Sequence, residues 1–255
     1  MHNPVPLEKL DAEKFGQIIC YPRYDFDRFV RRIKCMRELG VEALCFCGGK
    51  MVANIPVLGK GCTSIVLLAL MRDGSKAALK ICRTDSDEAR IVHEAKMLQI
   101  ANSVEVGPRL LGYRDGLLLM EYFEGKTFPE WIPGLSDEEN DVLRLRRILR
   151  DLLEQCWRLD SIGLDHGELS WADKHLIVDF EDRIHIVDFE TASDRRRTAN
   201  VTSISQYLFI KGGVAKIILQ KIGHIDRDSL ISALRKYKKT RSRGDFENIL
   251  NVVGL

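Results

Sequence analysis

Hydrophobic spacing changes character along this chain. From Asp25 to Leu39 the apolar residues Phe29, Val30, Ile33 and Met36 recur at helical intervals, with Arg28, Arg31, Arg32 and Arg37 elsewhere around the turn. That pattern predicts an amphipathic helix, ended by Gly40 and followed by a short strand from Val41 to Cys47. From Pro56 the period shortens. Val57-Leu58, Ile65 to Leu70 and Ala77 to Ile81 read as strands, and Asp73-Gly74 marks a hairpin turn between the last two, so the segment is an antiparallel meander. Thr84-Asp85-Ser86 can cap a helix with Ala89, Val92, Ala95, Met97 and Ile100 on its apolar face. A further strand, Gly116 to Tyr122, is bounded by Gly125.

Beyond this point helical spacing dominates. After the Pro133-Gly134 turn, a capping box from Ser136 to Glu139 opens a helix from about Glu138 to Ile162, with Val142, Leu145, Leu149, Leu152, Cys156 and Leu159 on one stripe. Two short strands, Leu176 to Val178 and Ile184 to Val187, flank a polar turn through Asp179 to Arg183, and helical segments complete the chain. A β-rich first part and a helical second part give an α+β class.

The 255 residues are 45% hydrophobic, as in an ordinary folded protein, and the 30% that are charged nearly cancel to a formal +2. No whole-molecule field therefore drives binding to nucleic acid or membrane. The start, MHNPVPLEKL, lacks the basic end and apolar run of a signal peptide, and no later stretch is apolar for the length of a bilayer, so a cytoplasmic protein without a membrane partner is expected. Seven scattered cysteines without a CxxC spacing argue for neither disulfides nor zinc, and Cys45 and Cys47 read as packing residues.

The chemistry is concentrated in four segments. Leu58-Gly59-Lys60-Gly61-Cys62-Thr63-Ser64-Ile65-Val66 lies between strands, where its glycines allow backbone amides to approach phosphate oxygens. In Ala77-Ala78-Leu79-Lys80 a lysine interrupts an apolar run and needs an anionic partner to be buried; Glu94 on the following helix supplies one, with Glu88 as the competitor. Leu117 to Gly125 is an apolar strand leaving through a polar turn. Finally, Asp165-His166-Gly167-Glu168-Leu169-Ser170 is followed by strand, turn, strand and Asp188-Phe189-Glu190.

In this order the motifs resemble the protein-kinase superfamily, over roughly Pro56 to Leu219. The His-Gly form is nearer to aminoglycoside phosphotransferases and small atypical kinases. With Asn200-Val201-Thr202-Ser203 it is most similar to archaeal predicted serine/threonine kinase-like proteins, related to the RIO kinases and the small kinase of the KEOPS complex. The resemblance implies a bilobal kinase-like fold: residues 1–54 an N-terminal extension packed on the small lobe, 55–121 an antiparallel β-rich small lobe, and 122–255 a mainly helical large lobe, with ATP and Mg2+ in the cleft.

It also implies roles. Gly59, Gly61 and Ser64 form the phosphate loop, Val66 and Ala78 line the nucleotide, Lys80 contacts phosphate and Glu94 orients the lysine. Met120 backs the adenine site, and backbone groups from Glu121 to Phe123 bond the base. Asp188 is the main metal ligand, and Glu168, in place of the usual aspartate, orients the nucleophile. The second metal position falls on Asp173 by direct counting or on His175 if two residues are inserted; Asp173 is taken because oxygen suits Mg2+. Glu190 replaces the final glycine of the metal motif, and no Ala-Pro-Glu follows, so the usual peptide platform is missing.

The expected activity is phosphotransfer to an unidentified acceptor, in first place a protein hydroxyl. An ATP-binding pseudokinase scaffold, an ATPase of RNA or ribosome maturation in the manner of RIO proteins, and a small-molecule kinase are the alternatives. His166 reads as a structural residue bonding the backbone, and Trp171 as packing. Arg195-Arg196-Arg197 and the cluster from Arg235 to Arg243 read as solvated faces, with RNA as the alternative partner.

Overall fold

The computed structural model describes residues 4–255, which divide into two compact units. The first comprises the described residues up to Gln99 together with Pro108–Tyr122; the second comprises Ile100–Gly107 and Phe123–Leu255. No helix among the described residues is long and apolar enough to cross a membrane.

The first unit is built on an antiparallel sheet that, among the described residues, has seven strands. In chain order its elements are β1 (Val5–Pro6), α1 (Ala12–Ile19), α2 (Phe26–Glu38), β2 (Val41–Cys45), β3 (Lys50–Val52), β4 (Ile55–Val57), β5 (Gly59–Lys60), β6 (Ser64–Met71), β7 (Lys76–Cys82), α3 (Ala89–Asn102), β8 (Leu110–Arg114) and β9 (Leu117–Glu121). The sheet runs β1-β2-β6-β7-β9-β8 with β5 beside β6, while β3 and β4 form a separate ribbon. The N-terminal segment is therefore part of the sheet, since β2 pairs with β6 and carries β1 at its outer edge.

Alternation sorts the two faces of this sheet. Ile65, Leu67, Ala69, Ala77, Leu79, Ile81, Leu117 and Leu119 face one side, in a core shared with Phe15, Ile18, Phe29, Ile33 and Met36 of α1 and α2. The intervening residues face the other side. Gly59 pairs with Val66, Val66 with Lys80 and Lys80 with Leu118, while Ala78 pairs with Met120. Directly opposed residues share a face, so Gly59, Val66, Ala78, Lys80 and Met120 line one surface, opposite the apolar helices.

Asp25 caps α2 by accepting from the Arg28 amide at 2.6 Å. Two expectations for this helix need correction. Val30 is exposed, and Arg32 is fully buried. Its guanidinium donates to the Ile19 carbonyl at 2.5 Å and the Cys82 carbonyl at 2.7 Å, so it serves as a cross-link between α1, α2 and the end of β7. On α3 Ala95 and Met97 are buried as expected, together with Ile91, Glu94, Leu98 and Ala101, whereas Ala89 and Val92 are exposed and Ile100 is half-buried, so the buried face is turned from the expected one. That rotation brings Glu94 to the buried side. The cap of α3 also differs, because Asp87 accepts from the Ala89 amide at 2.8 Å while Thr84 bonds the Arg23 segment.

The second unit is mainly helical. It contains β10 (Gly125–Thr127), α4 (Phe128–Trp131), α5 (Glu139–Ser161), β11 (Leu176–Asp179), β12 (Ile184–Ile186), α6 (Asn200–Ser205), α7 (Gly213–Ile222), α8 (Arg227–Thr240) and α9 (Arg243–Val252), with a π turn at Gln206–Ile210. β10, β11 and β12 form a small antiparallel sheet. A side chain at Gly125 would stand 2.1 Å from the Val178 carbonyl, so glycine is required for this close pairing.

The stripe of α5 buries Leu145, Leu149, Leu152, Cys156 and Leu159 as the spacing predicts, while Val142 at its start is only half-buried. Its start differs from the expected capping box: Ser136 donates through both its amide and its hydroxyl to Asp141 at 2.8 Å. The Ser136 backbone and hydroxyl, with Arg144, hold the Asp141 carboxyl down to about 2.

Candidate functional site

In the first unit the lysine expected to need an anion has one. Lys80 Nζ lies 2.7 Å from Glu94 Oε2, with the two side chains only 6% and 2% exposed, whereas Glu88 lies 3.8 Å from Arg32. The loop from Gly59 to Ser64 is closed by the Gly61 amide donating to the Ser64 carbonyl at 2.8 Å, and Ser64 is buried. Arg83, which follows β7, donates to the Gly61 carbonyl at 3.3 Å and grips Asp85. Glycine loop and lysine thus lie on one antiparallel ladder, and the helix glutamate is salt-bridged to the lysine. Met120 is buried on the same face, and the Glu121 amide is engaged with the Arg109 carbonyl at 2.9 Å.

In the second unit the two motif segments are bound side by side. Asp165 and Ser193 exchange backbone hydrogen bonds of 2.9 and 2.8 Å, the Val187 amide donates to the His175 carbonyl at 2.9 Å, and the Thr191 hydroxyl donates to the His166 carbonyl at 3.1 Å. Asp165 accepts from Arg196 Nε at 2.6 Å and from the Ala199 amide at 2.8 Å. Asn200 accepts from the His166 amide at 2.8 Å, while its Nδ2 donates to the Leu164 carbonyl and to Asp160. Asp160 also accepts from Tyr237 at 2.9 Å, and burial pushes its carboxyl up. Gly167 has φ +94° and a side chain there would meet Arg196 Nη2 at 2.5 Å, so the turn admits only glycine.

These clamps assemble a polar group. Glu168, His175 and Asp188 offer ligand atoms that lie within 4.8 Å of one another. His175 Nε2 is 3.1 Å from Glu168 Oε2, and its Nδ1 is 3.8 Å from Asp188 Oδ2. Asp188 occupies left-handed backbone, φ 69°, a conformation that costs a non-glycine residue of order 1 kcal/mol and is concentrated at functional sites. Two carboxylates brought together from separate segments fit a divalent cation, while the imidazole suits Mg2+ poorly.

Asp173, the expected second metal residue, lies elsewhere. Its carboxylate accepts from the Tyr207 hydroxyl at 2.7 Å, and burial followed by this bond raises the Tyr207 phenol. The cause is local: the 3-10 segment Leu169–Lys174 is interrupted at Trp171 (φ −134°, ψ 55°), which turns Asp173 toward the π segment and brings His175 to Asp188. Direct counting assumes regular spacing that this segment lacks. Trp171, expected to pack, is 82% exposed.

His166 bonds the backbone, with Nε2 3.1 Å from the Val187 carbonyl. Burial first, then the neighbouring His175, hold its imidazole down to about 4, so it is neutral at pH 7. Between pH 6.5 and 4 the unfolded chain binds the proton that the folded chain refuses, so this residue's contribution is complete above pH 6.5 and falls with acid, by about 3 kcal/mol at pH 4. His166→Gln, which keeps a donor for Val187, is expected to flatten that part of the stability profile in denaturant titrations. An unchanged slope would assign the acid loss to other groups.

Most of the basic clusters are engaged within the unit. Arg196 binds Asp165, Arg197 donates to the Lys238 carbonyl at 2.7 Å, Arg243 forks onto Glu154 at 2.6 and 2.8 Å, and Lys236 pairs with Asp245 at 2.8 Å. Phe123 stacks on His185 at 3.6 Å, and His185 Nε2 is 2.9 Å from Asp179.

No protein-family model matches the chain. An uncharacterized protein of Methanocaldococcus jannaschii is 29% identical over 122 residues, a match that covers 47% of this chain and 99% of that relative.

Proposed function

We propose that this chain is an atypical, protein-kinase-like phosphotransferase of bilobal fold that binds ATP with a divalent cation and transfers the terminal phosphoryl group to a hydroxyl, in first place a protein serine or threonine. The observation that carries the proposal is the meeting of Glu168, His175 and Asp188 where two motif segments are bound side by side. A strained aspartate beside a second carboxylate suits a phosphate-bound cation better than it suits a solvated turn. Support comes from the other unit, where the buried Lys80–Glu94 pair shares a sheet face with Gly59, Val66, Ala78 and Met120.

On this reading Lys80 and amides of the Gly59–Ser64 loop other than that of Gly61, which Ser64 holds, bind phosphate oxygens, and Glu94 fixes the lysine. Val66, Ala78 and Met120 offer the apolar surface for the base, with backbone of Glu121 to Phe123 as its polar contacts. Asp188 holds the cation, which supplies charge neutralisation on the phosphates. Glu168 accepts a hydrogen bond from the acceptor hydroxyl and takes its proton as the new oxygen–phosphorus bond forms and the bond to the ADP oxygen breaks. A nucleotide-binding scaffold without turnover is favoured by one observation, the engagement of Glu168 Oε2 with His175.

Incubation of the purified chain with γ-labelled ATP, in Mg2+ and in Mn2+, separates these readings when free phosphate and protein-bound label are followed together. Phosphotransfer requires label on protein serine or threonine. Phosphate release alone would select an ATPase, and nucleotide binding without either product would select the scaffold. A chain that binds no nucleotide would end all three.

A further inference from the structure

The segment that joins α1 to α2 has no part in the proposed chemistry, yet with α2 it grips three successive residues of the strand that carries Lys80. Cys82, Arg83 and Thr84 end β7 and lead toward α3, starting two positions beyond that lysine. The Cys82 carbonyl accepts from Arg32 at 2.7 Å, and the Thr84 amide donates to the Tyr21 carbonyl at 2.8 Å. The Thr84 hydroxyl oxygen accepts from the Arg23 amide at 3.1 Å. Between these contacts the Arg83 guanidinium stands over the Tyr21 ring, 5.0 Å from its centroid.

Tyr21 is reached from the glycine loop as well. Lys60 Nζ, between Gly59 and Gly61, lies 4.9 Å from the same centroid. At both distances the electron-rich face of a ring attracts a cation. Arg83 is also bonded to that loop, through its guanidinium to the Gly61 carbonyl and through its amide to the Thr63 carbonyl at 2.8 Å. Tyr21 itself is half-buried against the core of the first unit, which makes its ring a fixed anchor. A loop containing two glycines loses much backbone freedom when it is ordered, so contacts that order it in advance strengthen whatever it binds.

We propose that Tyr21 is a positioning residue of the glycine loop: its ring, by holding Lys60 and Arg83, keeps the Gly59–Ser64 segment closed in the form that receives phosphate. What the loop receives rests on the phosphotransferase reading, but the closure itself does not. The alternative is a tyrosine that only packs on the core.

Amide hydrogen exchange of the full chain without nucleotide, followed by NMR, tests the closure. Each cation over the ring contributes a factor of about two to five, so the Gly61 and Arg83 amides are expected to exchange about tenfold faster in Tyr21→Leu while amides of the β6–β7 ladder keep their parental rates. Tyr21→Phe, which keeps the ring, is expected to restore the protection. Lys60 is exposed, so Lys60→Met leaves the fold intact; it should speed Gly61 exchange about threefold in the parent and not at all in Tyr21→Leu. With ATP, Tyr21→Leu is expected to raise the Kd about tenfold and to change kcat by less than about twofold. The proposal is overturned if Gly61 and Arg83 exchange at parental rates in Tyr21→Leu, if Tyr21→Phe is as fast as Tyr21→Leu, if the β6–β7 amides accelerate equally, or if the ATP Kd is unchanged. Should Tyr21→Leu not fold, unchanged Gly61 exchange in Lys60→Met overturns it alone. A parent that binds no ATP, with the expected exchange pattern present, would remove the phosphotransferase reading and leave the loop closure standing.

Discussion

Asp188→Asn is expected to lower cation-dependent ATP turnover about a thousandfold, equivalent to about 4 kcal/mol of transition-state stabilisation. The substitution removes one negative charge and little else. Asparagine, like aspartate, tolerates the left-handed backbone at φ 69°, whereas alanine there would add strain unrelated to chemistry. The side chain is also partly exposed, so the melting temperature should stay within about 2 °C of the parent. Glu168→Gln is the companion variant. It keeps the size of the side chain but not its basicity, and a loss of about a hundredfold in kcat with an unchanged nucleotide Kd is the signature of a residue acting on the acceptor. If Glu168→Gln turns over ATP undiminished, that role is refuted. If both variants weaken nucleotide binding equally without a change in kcat, neither acts at the transferring phosphate.

Much of the fold is legible in the sequence because its cause is local. The hairpin turn at Asp73-Gly74, the alternation along β6 and β7 and the stripe of α5 each follow from neighbouring residues, and the structure contains all three. What stays hidden depends on distant partners. Arg32 looks like one more surface arginine of α2 until the carbonyls of Ile19 and Cys82 meet it. Asp160 sits on α5 at a position indistinguishable from its solvated neighbours, and only the Asn200 and Tyr237 contacts, 40 and 77 residues away, explain its burial. Within the candidate site, Lys80 is legible because a lysine in an apolar run demands an anion. His175 is legible only as the alternative to Asp173, because its approach to Asp188 depends on the irregular backbone at Trp171.

The Lys80–Glu94 pair yields the second large expected effect, and it is independent of any assay of function. Burying two opposite charges removes them from water, and their mutual attraction seldom exceeds that loss by much. Lys80→Met therefore leaves the Glu94 carboxylate buried without its lysine, and should destabilise the first unit by about 3–5 kcal/mol. Glu94→Leu alone should be costly for the same reason, although a buried lysine can shed its proton and soften the loss. The double variant Lys80→Met with Glu94→Leu replaces the pair by apolar side chains of similar volume on a face that already carries Val66, Ala78 and Met120, and should return to within about 1 kcal/mol of the parent. Denaturant unfolding of the four proteins closes the cycle. A double variant that is stable and folded would mean that the charges are not kept for stability, which is what phosphate binding requires of them. A double variant as unstable as the single ones would instead make the pair a structural element, and the strongest support from the first unit for a nucleotide site would be lost.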